Sequence, residues 1–139
     1  MVAVFCGSFN PPTLAHTATL RNAIAALTSH GHHVGAVVVT PVHDAYGKPT
    51  LTSAAHRVAM CHLAFDNADL STPASPTSDP VSPPSVGANL PRVHVSAWEC
   101  TRESRVRSLD VLRHFASLLP RPAAGPRRRA DFLRAKEPE

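Results

Sequence analysis

Ten residues near the N-terminus, Gly7-Ser8-Phe9-Asn10-Pro11-Pro12-Thr13-Leu14-Ala15-His16, bring together the residue types that handle a phosphate. A glycine at the head of the string permits a tight turn and close approach of an anion to the backbone. Thr13 stands where a helix would begin. The N–H groups of a first helical turn have no partner inside the helix, so they face an anion. Thr13 and His16 can both aim hydrogen bonds at a phosphate held over that end. A donor histidine there stabilises charge developing in a transition state. Alone, a Gly-Ser-Phe turn or a single histidine is ordinary surface structure; the complete string at one strand-to-helix junction points to function. It is neither a GxGxxG dinucleotide fingerprint nor a Walker A loop, because the required glycines and the Gly-Lys-Ser/Thr triplet are absent.

The surrounding pattern supplies the elements that must position these residues. Val2 to Cys6 is a short apolar run ending at Gly7 and reads as a buried strand. A helix follows from about Thr13, with Leu20, Ala23, Ile24 and Leu27 spaced as a core-facing stripe. Gly31 supplies its stop. Val34 to Thr40 is continuously apolar and β-branched, the mark of a parallel strand buried on both faces, and Pro41 ends it. After a loop, Thr52 or Ser53 caps a second helix carrying Val58, Met60, Cys61 and Phe65. Residues 71–91 hold six prolines and five serines, the composition of a flexible, partly polyproline II segment. Val93 to Ala97 alternates into Trp98 as a third strand. Val106, Leu109, Leu112, Phe115 and Leu119 mark a third helix, ended by Pro120.

The order βαβαβα, with crossovers of helical length, predicts an α/β fold. It is a Rossmann-like open parallel sheet with right-handed connections and helices on both faces. In such a sheet the first strand-to-helix junction lies at the carboxyl ends of the strands, where ligands bind. The predicted organisation is one α/β domain over residues 1–119, interrupted by the 71–91 insertion, and a disordered basic Pro/Arg-rich tail over 120–139.

Composition narrows the class. At 139 residues and 43% apolar content the chain suits one folded domain. No apolar run approaches the roughly 20 residues of a bilayer span, and the start lacks the basic segment of a signal peptide. Cys6, Cys61 and Cys100 form no CxxC pair and read as free thiols of a reducing compartment. The expected location is therefore cytoplasmic, and Arg127-Arg128-Arg129 leaves a nuclear one open. No membrane or specific nucleic-acid partner is expected, since the arginine run lacks aromatic residues for base stacking. Of the net charge of +4, residues 1–101 carry four basic and five acidic groups, whereas 102–139 carry ten and five. The basic character thus belongs to the C-terminal part. His30, His32 and His33 lack a carboxylate or cysteine companion. They read as helix C-terminal histidines suited to the dipole rather than as a metal site.

The string Gly7–His16 resembles the signature of the nicotinamide/nicotinate mononucleotide adenylyltransferases, nucleotidyltransferases with a (His/Thr)-x-x-His motif. The resemblance continues in order through Pro41-Val-His-Asp-Ala-Tyr-Gly-Lys48, Leu51, Ala54-Ala-His-Arg57-Val-Ala-Met60, Trp98-Glu99 and Val111-Leu-Arg-His114. It implies adenylyl transfer from ATP, with Mg²⁺, to nicotinamide or nicotinate mononucleotide, giving NAD or deamido-NAD and pyrophosphate. It also implies roles. His16 is the principal catalytic donor. Gly7, Ser8, Phe9, Thr13, His16 and Lys48 contact ATP. Ser8, Phe9, Tyr46, Arg105 and Ser108 border the mononucleotide. Arg57 either holds phosphate or pairs with Asp44 to brace the loop. Trp98 and Glu99 read as structural.

Two departures qualify the resemblance. Where the family pattern usually has a second tryptophan and a threonine, this chain has Arg105 and Ser108. Arg105 either stacks on the ring and favours nicotinate, or is a solvated residue. The family's fourth and fifth strands and its Ser-Ser-Thr-x-x-Arg motif are not matched, so a three-stranded half of the fold is expected, with the first strand at an exposed edge. Such a chain is either weakly active or has its edge covered by a partner or a second copy. Two rival readings stand beside the enzyme: a catalytically incomplete nucleotide-binding or regulatory fragment, and a related small nucleotidyltransferase.

Overall fold

The computed structural model describes residues 1–66, 68, 70 and 90–120. Three parallel strands form one sheet in the order β1-β2-β3: β1 (Val2–Gly7), β2 (Ala36–Pro41) and β3 (Arg92–Val95). Three helices accompany them: α1 (Leu14–Ser29), α2 (Ala54–Phe65) and α3 (Ser108–Leu118). Short 3₁₀ turns at Asp44–Tyr46 and Glu99–Thr101 follow β2 and β3. The register pairs Val2 with Ala36 and Cys6 with Thr40 across β1 and β2, and Ala36 with Arg92 across β2 and β3. The insertion expected at 71–91 and the tail expected at 120–139 fall almost entirely outside the described residues.

Alternation along each strand sorts the two faces. Ala3 and Phe5 of β1, Val37 and Val39 of β2, and Val93 and Val95 of β3 meet Leu20 and Ile24 of α1 and Cys61 and Phe65 of α2 in one cluster. α1 and α2 therefore share a face, as two right-handed crossovers in one direction require. Cys6 alternates with Phe5 and turns to the other face, where it lines a cleft with Arg107 and Ser108 at the start of α3. Three phenylalanines knit the first face together. Phe5, Phe9 and Phe65 pack edge to face with centroids 5.4, 6.3 and 5.6 Å apart.

Several expectations are corrected. β1 is half-buried throughout rather than buried, because it forms the edge of the described sheet. Ala23 is exposed on α1, whose stripe is Leu20, Ile24 and the partly buried Leu27. β3 ends at Val95, two residues short of Ala97, and Trp98 opens a 3₁₀ turn. The third helix is present over Ser108–Leu118, so Val106 and Leu119 lie outside it. Val111 and Phe115 are buried, while Leu109, Leu112 and Leu119 are exposed. The physical reason is Trp98, whose indole stacks on His114 at 3.9 Å and 6° and meets Phe115 edge-on. Helix α3 orients by presenting His114 and Phe115 to that indole.

Gly7 has a steric purpose. A Cβ there would lie 3.0 Å from the Phe9 ring. Phe9 is 1% exposed and takes a left-handed backbone (φ 47°), a conformation that costs a non-glycine residue about 1–3 kcal/mol and persists only when packing enforces it. Gly7→Ala is expected to lower unfolding stability by about 1–3 kcal/mol through overpacking. Phe9→Ala is expected to lower it by about 3–5 kcal/mol through loss of core volume. Urea denaturation of both variants checks the order.

Candidate active site

The β1–α1 turn is held from three sides. Phe9 drives its ring into the core. Asn10 ties the turn to the segment before α2, donating from Nδ2 to Thr50 O at 2.8 Å and accepting from Thr52 N at 3.0 Å. Thr13 is the N-cap of α1 and is joined to His16 in a capping box. The His16 ring leans on the Phe9 ring, centroids 5.3 Å apart. The Phe5 ring also meets the His16 ring edge-on at 6.5 Å, so core packing reaches the first turn of α1 through two aromatic contacts.

The second support is Arg57. It is fully buried. Its Nε donates to Thr52 O (2.7 Å), Nη1 to Ser8 O (3.1 Å), and Nη2 to Val42 O (2.8 Å) and Asp44 Oδ1 (2.7 Å). One guanidinium therefore joins the β1–α1 turn, the end of β2, the 3₁₀ turn and the entry to α2. Of the two roles open for Arg57, this geometry is that of the brace. Asp44 also accepts from the N–H of Ala54 at the start of α2. The Arg57 bond, followed by that N–H, holds its carboxyl below the usual carboxylate range. Neither Thr52 nor Ser53 caps α2 through a side-chain bond to its backbone. Ser53 Oγ instead lies 2.9 Å from His56 Nδ1.

Beside the turn lies a cleft of about 430 Å³, walled by Cys6, Gly7, Ser8, Val42, Tyr46, Glu99 and Arg105 to Ser108. Of the expected residues it gathers Gly7, Ser8, Tyr46, Arg105 and Ser108. Thr13, His16 and Lys48 do not line it. Ser8 is the link, because Lys48 Nζ donates to Ser8 Oγ at 2.9 Å. The Phe9 side chain belongs to the core rather than to either site. Arg105 lies over the Tyr46 ring, guanidinium carbon to centroid 5.1 Å, an exposed cation–π contact.

Glu99, read from sequence as structural, is 3% exposed and lines this cleft. Burial raises its carboxyl above the ordinary value, opposed by a bond from the His43 N–H and by nearby His43, Arg57 and Arg105. His43 was not singled out from the sequence. It fastens the same wall, its Nε2 reaching Arg102 O at 3.1 Å while Nδ1 accepts from Ala45 N at 2.9 Å. The one available signal for Glu99 was its place directly after Trp98. Nothing in the sequence marked it as the carboxylate facing Arg105. The three thiols are free, and burial raises all of them, Cys61 to about 11. None is an activated nucleophile.

Residues 4–79 match the cytidylyltransferase-like family, and this stretch contains the phosphate-handling turn, the Arg57 brace and Lys48. The chain belongs to that family. It is 31% identical over 122 residues to nicotinamide/nicotinic acid mononucleotide adenylyltransferase 2 of Rattus norvegicus, covering 87% of this chain and 33% of that protein. It is 33% identical over 119 residues to the nicotinamide/nicotinic acid mononucleotide adenylyltransferase of Arabidopsis thaliana, covering 86% and 41%. The chain spans about a third of the length of the first of these curated relatives and about two fifths of the second. No helix among the described residues is long and apolar enough to cross a membrane.

Two outcomes test the supports. Arg57→Lys leaves buried carbonyls unpaired and is expected to cost about 3 kcal/mol or more. Asp44→Asn, at a carboxylate that is 52% exposed, is expected to cost under about 1 kcal/mol. Glu99 has a raised folded value, so over that window the folded state binds more protons than the unfolded one. Stability therefore falls as pH rises from the ordinary glutamate value through the raised one. Glu99→Gln is expected to remove that slope and to raise the thermal midpoint at pH 7 relative to the parent, with the gain vanishing below about pH 4.

Proposed function

We propose that this fold transfers the adenylyl group of ATP to nicotinamide or nicotinate mononucleotide, giving NAD or deamido-NAD and pyrophosphate. The observation that carries the reading is Ser8. It sits in the first strand-to-helix turn, its hydroxyl holds Lys48, and its other side faces the cleft with Tyr46, Arg105 and Ser108. A phosphate-handling turn and a mononucleotide-sized cleft therefore meet at one residue. The names of the relatives point the same way.

On this reading ATP lays its phosphates over the start of α1, against Gly7, His16 and Lys48, with Thr13 bonded to His16 rather than to a phosphate. The mononucleotide occupies the cleft, its ring beside Tyr46 and its phosphate toward Ser8. A phosphate oxygen of the mononucleotide attacks the α-phosphorus in line. The bond from that phosphorus to the bridging oxygen breaks, and pyrophosphate leaves. Such transfers are catalysed by positioning and charge stabilisation, so unactivated thiols are compatible with the chemistry. Mg²⁺ would neutralise charge on the triphosphate. Among the described residues no group of three His, Cys, Asp or Glu side chains could cage a metal. Arg105 on the cleft wall favours a ring bearing a carboxylate, hence nicotinate mononucleotide. A second copy pairing along the β1 edge is the proposed mode of self-association, checked by the mass in solution from light scattering.

The test measures dinucleotide formation from ATP, Mg²⁺ and each mononucleotide, using the chain and its His16→Ala variant. Turnover is expected, with kcat lowered about 10²–10³-fold in the variant. Nucleotide affinity without turnover in the folded parent would instead establish a binding fragment. The nicotinate form is expected to have the higher kcat/KM, and Arg105→Trp to narrow the gap. Equal turnover of both substrates, unmoved by that substitution, would remove Arg105 from the reading.

A further inference from the structure

The spacing Thr13-x-x-His16 is that of a capping box. In this device a Ser or Thr N-cap meets the backbone of the third helical residue, whose side chain reaches back to the N-cap N–H. The third residue is ordinarily Glu or Gln. Here it is His16, and both halves of the box are formed. Thr13 N donates to His16 Nδ1 at 3.0 Å, and Thr13 Oγ1 lies 2.8 Å from the same nitrogen.

A backbone N–H has no lone pair and can only donate. His16 Nδ1 is therefore the unprotonated nitrogen, and the neutral ring carries its proton on Nε2. The hydroxyl faces the same lone pair, so it also donates. Its proton is committed to His16 and is not offered to a phosphate. The Phe9 ring against the imidazole, tilted by 56°, limits the alternative of turning the ring over.

The geometry points to Thr13 as a positioning residue: the capping box that starts α1 locks His16 in the Nε2–H tautomer. The neutral ring then has one donor, at the nitrogen away from Thr13. That donor needs no prior protonation to bond a phosphate oxygen. Where the proton sits follows from the cap alone; only what it acts on rests on the adenylyl-transfer reading.

A second Ser-x-x-His step in the chain provides an internal contrast. Ser53 Oγ lies 2.9 Å from His56 Nδ1 at the start of α2. That contact joins a hydroxyl to a ring nitrogen, and either tautomer satisfies it. At His16 the backbone donor sets the direction of the contact, and the Thr13 hydroxyl adds the bond that keeps the ring against that donor.

The test is the long-range ¹H–¹⁵N spectrum of the imidazoles in the full chain, at about pH 8.5 where ordinary imidazoles are neutral. His16→Asn and His56→Asn variants assign the two rings. His16 is expected to show a pyridine-type Nδ1 and a pyrrole-type Nε2. Thr13→Val, which keeps the N–H and loses the hydroxyl, is expected to shift His16 toward a tautomer mixture. It should lower kcat about tenfold, short of the roughly 10⁴-fold loss of a histidine held wholly in the wrong tautomer, with KM for ATP within about twofold. Thr13→Ser should restore both. A protonated Nδ1 on His16 in the unsubstituted chain overturns the proposal, and that outcome needs no variant to fold. An unchanged His16 spectrum in folded Thr13→Val overturns the assignment to Thr13. The expected tautomer in a chain without turnover sustains the lock and defeats the adenylyl-transfer reading; turnover with the opposite tautomer does the reverse.

Discussion

One buried guanidinium fixes the relation between the parts of this site. Arg57 lies within α2, yet its bonds end on Ser8, Val42, Asp44 and Thr52. Three of these partners are main-chain carbonyls at the carboxyl ends of β1 and β2 and at the entry to α2. Loop backbone of this kind would otherwise be held by water, and water does not define a position to fractions of an ångström. A planar group with a fixed fork of donors does. Asp44 completes the arrangement by bonding the same guanidinium and the first N–H of α2.

The electrostatics of the cleft follow from that frame. Arg105 and Arg107 line the cleft, Arg107 bonded to Asp110 in the first turn of α3 at 3.3 Å. Its buried wall holds one carboxylate, Glu99. An anionic ligand is drawn by Arg105 and meets a repulsive group deeper in, so charge orients it before any specific contact forms. The turn at His16 has a different character. Its donors are a neutral imidazole and helix N–H groups, steered by capping and aromatic packing rather than by ion pairs.

What was legible in the sequence was whatever periodicity or turn chemistry encodes. The three strands and the placing of Gly7 to His16 at a strand-to-helix junction follow from apolar runs and breakers. The third helix was legible from its spacing, but which of its faces is buried was not. Leu109, Leu112 and Leu119 have helical spacing, but the burial of α3 is decided by Trp98, a partner outside the helix that no periodicity reports. Gly7 was legible as a glycine that something requires, but the requirement is the Phe9 ring. Arg57 left two readings open because an arginine's role depends on which carbonyls surround it. Glu99 was missed because its neighbours in space, Arg105 and the His43 N–H, come from other segments of the chain.

The stack at Trp98 also makes the protein its own optical reporter. The chain has a single tryptophan, and its indole is covered by His114 on α3 and approached by Arg102 at 5.0 Å. Indole emission depends on local contacts within a few ångströms, so the fluorescence of this chain is governed by whether α3 is docked. The Phe5–Phe9–Phe65 cluster is nearly silent in that spectral window. Emission and far-ultraviolet dichroism therefore report different parts of the molecule. A separation between the two signals on titration with ligand or denaturant would read the movement of α3 apart from the melting of the sheet.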